Sequence, residues 1–260
     1  MHTNHLQFRP MPLRMAILFF GIPALVFRMA VYFGMPFLLN IGVPWFGVYV
    51  ACYGTVLLLM ILATLVAYRL DGFHFSWKEL QERLWLRSLT SKDWEWITGG
   101  FFVAAIGYLV FSFTERWIAN IPLFAPPAAI AYLDPCGPAQ LSYTSFMGVP
   151  LLVNWWMFIA IFLLLVLNIL GEELWWRSYI LPRQELGAGK RAWLANGLLW
   201  SLFHVVSYPW TVLSYLPICL AIPFVVQRLK SAQSGMVIHF ILNMFHLLIP
   251  VTLGIFGIRL

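Results

Sequence analysis

The chain has 260 residues, is 62% hydrophobic and only 10% charged, whereas soluble domains are about half apolar and carry about a quarter charged residues. That composition excludes an ordinary soluble enzyme and predicts an all-α, polytopic bundle of membrane helices, a single membrane domain over residues 1–260 with no soluble appendage. The net charge of +6 comes without a long basic tract, which fits loops facing an anionic lipid bilayer and excludes nucleic acid as a partner; Cys52, Cys136 and Cys219 match neither a disulfide nor a zinc spacing.

A bilayer-spanning helix needs about 20 apolar residues. In chain order seven segments qualify: 14–38, 45–68, 94–118, 150–181, 192–208, 211–229 and 235–257. Arg9 and Arg14 precede the first, but its apolar stretch is too long for a signal peptide and lacks a small-x-small cleavage site. It reads as a transmembrane helix whose internal Arg28 faces protein or a wet cavity rather than lipid. Residues 76–90, SWKELQERLWLRSLT, read as an amphipathic helix with a Ser76–Glu79 capping box and Trp77, Leu80 and Leu84 on one face. Such a helix lies in the membrane interface or serves as a solvated connector. Tyr208-Pro209 separates the fifth and sixth segments.

Basic residues set the orientation. Loop 69–93 carries Arg69, Lys78, Arg83, Arg87 and Lys92, loop 182–191 carries Arg183, Lys190 and Arg191, and the sixth segment ends at Arg228 and Lys230. Loop 120–149 has neither Lys nor Arg. The N-terminus and the basic loops are therefore expected in the cytoplasm and the C-terminus outside, with Arg259 as the one exception. Short loops and a compact chain point to a bacterial cytoplasmic membrane.

Ionisable residues inside membrane helices are costly and mark functional sites. Three clusters stand out. Glu172-Glu173-x-x-x-Arg177 follows a long uncharged run. Glu173 and Arg177 are spaced to pair on one helix face, while Glu172 points about 100° away and is left without a partner on its own helix, with Asn168 one turn before it. Trp200 and His204 share a face, with Asn196 a turn earlier. His239 and Asn243 stack one turn apart, with His246 three residues on. Taken singly, these are also read as a wetted helix end, a packing histidine and a polar stripe that glues helices. Taken together, an unpaired Glu, two His and an Asn on three late helices suit hydrolysis of an amide bond. The carboxylate acts as general base on water, and imidazole and amide groups share that water or donate to the oxyanion. Neither a Ser-His-Asp arrangement nor an H-E-x-x-H motif is evident.

E-E-x-x-x-R, then aromatic-x-x-x-His, then His-x-x-x-Asn, in that order on late helices, resembles the CPBP family. These are the CAAX protease and bacteriocin-processing (Abi) intramembrane proteases, related to the Ras-converting CAAX prenyl protease. The resemblance covers about residues 150–250, a protease core with three motifs, and departs from the pattern at Trp200, where the family usually has Phe. It implies peptide-bond hydrolysis by an intramembrane endopeptidase, a peptide hydrolase acting on a peptide or membrane-protein substrate, with a cavity open to the cytoplasmic side. By matching positions, Glu172 activates water with His204, His239 and Asn243 stabilise the oxyanion, and Glu173 and Arg177 support them, with Trp200 at the aromatic position. The family has been described both as metalloproteases and as glutamate-dependent proteases. Glu172, His204 and His239 make an acceptable zinc set. Their dispersal over three helices and the better fit of Asn243 as an oxyanion donor favour the reading without a cofactor.

Two other classes compete. A transporter lines its path with polar groups too, but no internal repeat is visible and seven spans divide poorly. A non-catalytic immunity or scaffold protein would bind a membrane partner through the same residues. Substrate identity, prenylation and oligomeric state are not written in the sequence.

Overall fold

A computed structural model describes residues 8–137, 142 and 144–258; Arg259, the orientation exception, lies outside the described residues. α1 (Leu13–Met29) runs through a wide π turn (Ala30–Gly34) into α2 (Met35–Asn40). α3 (Trp45–Leu70) returns across the molecule, followed by the short α4 (Trp77–Arg83), α5 (Asp93–Ser112) and α6 (Thr114–Ala119). A two-residue antiparallel pair, β1 (Ser145–Phe146) and β2 (Val149–Pro150), closes the long loop that follows. α7 (Trp155–Glu172), a π turn (Glu173–Ile180) and α8 (Leu181–Ala188) form one helical run. Beyond a turn come α9 (Ala192–Ser207), α10 (Leu216–Leu229) and α11 (Ala232–Asn243), then a π turn (Met244–Leu248) and α12 (Ile249–Ile255).

The fold is the expected helical membrane bundle, and the protein is an integral membrane protein. Among the described residues five helical runs are long and apolar enough to cross a bilayer: Leu13–Asn40, Trp45–Leu70, Asp93–Ser112, Trp155–Ser207 and Ala232–Ile255. The expected count of seven differs for a local reason. Segments 150–181 and 192–208 fall in the single run Trp155–Ser207, which turns at Gly189 (φ +59°), and Leu216–Leu229 is apolar but shorter. Outward faces are apolar, as in Leu18, Ile22 and Leu25 on α1 or Phe102, Val103 and Ile106 on α5.

Each π turn immediately precedes a proline in the first turn of the next helix: Pro36, Pro182 and Pro250. Proline lacks an N–H and its ring crowds the carbonyl four residues back, so the ladder widens there instead of breaking. Two of these turns carry polar motif residues, Glu173 and Arg177 in one and His246 in another.

Lipid gives little hydrophobic drive for helix association, so close packing has to hold the bundle. α1 docks through aromatic stacking: Phe20 lies on Trp176 at 4.0 Å, Phe19 on Trp175 at 5.4 Å and Phe27 on Phe203 at 5.5 Å between ring centroids. Arg28 meets the expectation, donating to the Val206 carbonyl with its guanidinium 4.1 Å from the Tyr32 ring. At one end of the bundle the basic loops tie together. Arg183 binds Asp71, Arg87 donates to Asp93 and to the Leu229 carbonyl, and Lys230 pairs with Glu185. The expected 76–90 helix is confined to Trp77–Arg83. Its Ser76 cap accepts from the Glu79 N–H at 3.3 Å, but Trp77 is exposed and Leu84 is buried past the helix end, so the three do not form one buried face.

Candidate active site

α7 reaches the site because Gly171 lets it lie directly on α3; a Cβ there would stand 2.9 Å from the Leu57 carbonyl oxygen. The next residue, Glu172, is 5% exposed and lines a cavity of about 600 Å³. That cavity also takes in His204 from α9 and His239 and Asn243 from α11, so the four residues singled out from three separate helices line one chamber. Its other walls include Tyr49, Tyr53, Tyr208 and Tyr215 beside apolar residues such as Phe27 and Leu164. The lining reaches Ser142 in loop 120–149, the end away from the basic loops, where the resemblance leads one to expect an opening on the basic side.

Glu172 is not without a partner on its own helix. Asn168, one turn back, donates from Nδ2 to Oε1 at 2.8 Å, and Trp200 donates from Nε1 to Oε2 at 2.7 Å. The residue that departs from the family pattern therefore contributes a hydrogen bond that a Phe has no donor to make. Asn168 in turn accepts from Asn243 Nδ2 at 3.0 Å.

Glu173 points into the protein and is fully buried, as is Arg177. The expected pairing is present at 3.6 Å, and the Arg177 guanidinium also lies 3.5 Å from the Trp200 ring centroid, a cation–π contact. Glu173 has a second partner that the sequence pattern did not reveal: His239 Nδ1 stands 3.0 Å from Oε1. Room for this carboxylate comes from Gly235, one turn before His239, where a Cβ would fall 2.6 Å from Glu173 Oε2.

The ring protons follow from the acceptors. His204 Nδ1 faces the Trp200 carbonyl at 3.0 Å, and a carbonyl only accepts, so Nδ1 carries the proton and Nε2 is left bare. His239 Nδ1 faces a carboxylate and carries its proton likewise, leaving Nε2 as the ring nitrogen that can serve the chamber. Asn196 works elsewhere, donating to the Trp176 carbonyl and to Gln184. His246 lines the cavity and touches the Tyr108 ring but makes no side-chain hydrogen bond among the described residues.

Among the described residues no three His, Cys, Asp or Glu side chains converge closely enough to hold a metal ion; the hydrogen bonds at each histidine's Nδ1 leave Nε2 as the nitrogen a zinc ion would take. The tyrosines of the chamber wall were not foreseen. Tyr49 and Tyr53 sit on the early helix α3 in a run that reads as pure membrane span, and only the fold brings them to α9 and α11.

No curated protein and no solved structure matches this chain. Residues 154–245 match the family model described as Rce1-like, type II CAAX prenyl endopeptidase Rce1-like. All three motifs fall inside that stretch, and the match agrees with the resemblance read from them.

Proposed function

We propose that the protein is an intramembrane endopeptidase that hydrolyses a peptide bond of a peptide or membrane-associated protein with a water activated by Glu172. One observation carries the reading: Glu172, His204, His239 and Asn243 arrive from three helices at the wall of one 600 Å³ chamber, within the usual size of a ligand site. The protease core of residues 150–250 would work within a single membrane domain spanning 1–260.

Glu172 takes a proton from water, and the bare Nε2 of His204 accepts a hydrogen bond from the same water. The hydroxide forms a bond to the scissile carbonyl carbon, and the carbonyl π pair moves to oxygen. Asn243 and His239 donate to that oxyanion. With Nδ1 already protonated toward Glu173, His239 donates from Nε2 only as a doubly protonated, cationic ring, and Glu173 is the anion placed beside that charge. When the oxyanion collapses the C–N bond breaks, and the proton held by Glu172 passes to the leaving amine. Glu173 and Arg177 hold His239 and Trp200 in place, and Trp200 holds Glu172. No step is routed through a metal: among the described residues no three His, Cys, Asp or Glu side chains converge to hold one.

The clustering of basic loops at one end supports an N-terminus in the cytoplasm, and the short loops and compact chain support a bacterial cytoplasmic membrane. The test compares membrane and secreted peptides by mass spectrometry between cells carrying the wild type and Glu172→Gln at matched levels. Substrates that accumulate uncleaved only in the variant support the protease. Matching profiles in cells that keep the wild-type phenotype would make it a non-catalytic immunity or scaffold protein. A chelator arm on purified protein reads out the zinc version, which requires metal in the sample and loss of activity on its removal.

A further inference from the structure

We propose that Asn168 is a positioning residue that sets both working ends of the site at once, fixing the base and orienting the oxyanion donor; this rests on the roles proposed above for Glu172 and Asn243. A carboxylate can only accept hydrogen bonds, so the Asn168 amide must turn its Nδ2 toward Glu172 Oε1, at 2.8 Å. Its Oδ1 is thereby turned the other way, toward Asn243, and only a donor can face it. Asn243 Nδ2 is that donor, at 3.0 Å. The orientation of one amide thus dictates that of the next, across α7 and α11.

The consequence is chemical. Asn243 uses one N–H on Asn168 and keeps the second on the same nitrogen for the chamber it lines. Without Asn168, nothing in this pair prevents the Asn243 amide from turning over and presenting its oxygen to a developing oxyanion, which repels it. Glu172 at the same time loses one of its two N–H partners and keeps only Trp200. Asn168 is half-buried and stands one turn before Glu172 on α7, so the spacing and the contact arise from one helix.

The bland account is that Asn168 only glues α7 to α11. The full-length protein reconstituted in liposomes separates the two. Asn168→Leu should lower kcat roughly 10- to 100-fold, the scale of one hydrogen bond to a charged group, with KM changed by less than about twofold. The Asn168→Leu/Asn243→Ala double variant should be slower than Asn243→Ala by less than Asn168→Leu slows the wild type, because only the Glu172 half of the device remains to be lost. Asn168→Asp offers only acceptors at neutral pH and should be slower than Asn168→Leu. It should recover activity toward acidic pH, where one proton shared by the two carboxyls restores a donor to Glu172. The other charged or titratable groups around Glu172, namely Arg177, Glu173, His204 and His239, are common to every variant. Wild-type kcat in Asn168→Leu, additive losses in the double variant, or no acid recovery in Asn168→Asp would overturn the proposal. If Asn168→Leu does not fold, Asn168→Ser takes its place in the cycle. An infrared arm is independent of turnover: the carboxylate band assigned by its loss in Glu172→Gln should shift in frequency when Asn168 is replaced. An unchanged band overturns the Asn168–Glu172 contact, whereas a wild type that cleaves nothing overturns the protease reading.

Discussion

Glu172 and Glu173 are neighbours in the chain and occupy two different regions of the molecule. The region around Glu172 is a chamber wall. Its carboxylate is held by neutral donors, the Asn168 amide and the Trp200 indole, and faces a cavity. The region around Glu173 is sealed. Its carboxylate meets Arg177 and His239, and both it and Arg177 are fully buried. A base must be free to take a proton, so neutral clamps suit it; a structural anion needs its charge matched, and Arg177 stands beside it. Under the proposed function, adjacent positions of one sequence motif divide into chemistry and scaffold because the helix turns between them.

Replacements break that comparison in order of size. Glu172→Gln keeps the shape and both oxygen-side contacts in part but removes the base. It should cut turnover by about 10²- to 10⁴-fold, the usual share of general-base catalysis, with the thermal unfolding temperature in detergent little changed. Arg177→Ala should act on the other region, leaving Glu173 buried with less compensation. Breaking one side of a buried pair costs about 3–5 kcal/mol, which a denaturation series in detergent micelles would register. Gly235→Ala sharpens the contrast, since its methyl would intrude 2.6 Å from Glu173 Oε2 without touching Glu172. Overpacking of this kind costs about 1–3 kcal/mol, so stability should fall together with a partial loss of activity.

The smallest effect lies outside both regions. Burial raises the carboxyl pKa of Glu115, just beyond the third span, against the opposing hydrogen bond from Ser214. The folded protein therefore holds this proton to higher pH than the unfolded chain does. Its contribution to stability is complete below the ordinary carboxylate pKa and is lost as pH rises through the raised one. Glu115→Gln should flatten the pH dependence of the melting temperature over that interval; a curve that overlays the wild type would show that Glu115 does not titrate there.

Much of this was legible in the sequence, for identifiable reasons. Composition and apolar run length gave the membrane bundle, and i,i+4 spacing gave the Glu173–Arg177 pair and placed Asn168 beside Glu172. What could not be read was whatever depends on which helix faces which. The Trp200–Glu172 and His239–Glu173 bonds join helices far apart in the chain, and so do the α3 tyrosines in the chamber wall. The count of seven spans is not confirmed, because one helical run turning at Gly189 takes in two expected segments and α10 is shorter than a full span. The π turns were hidden too, although each is followed directly by a proline in the next helix.

The most direct test of the division of roles sets Glu172→Gln and Glu173→Gln side by side, with turnover and thermal stability measured on the same liposome-reconstituted samples. The account predicts that Glu172→Gln is inactive at near wild-type stability, while Glu173→Gln retains measurable turnover and is the less stable of the two. Equal loss of turnover from both, at equal stability, would contradict it.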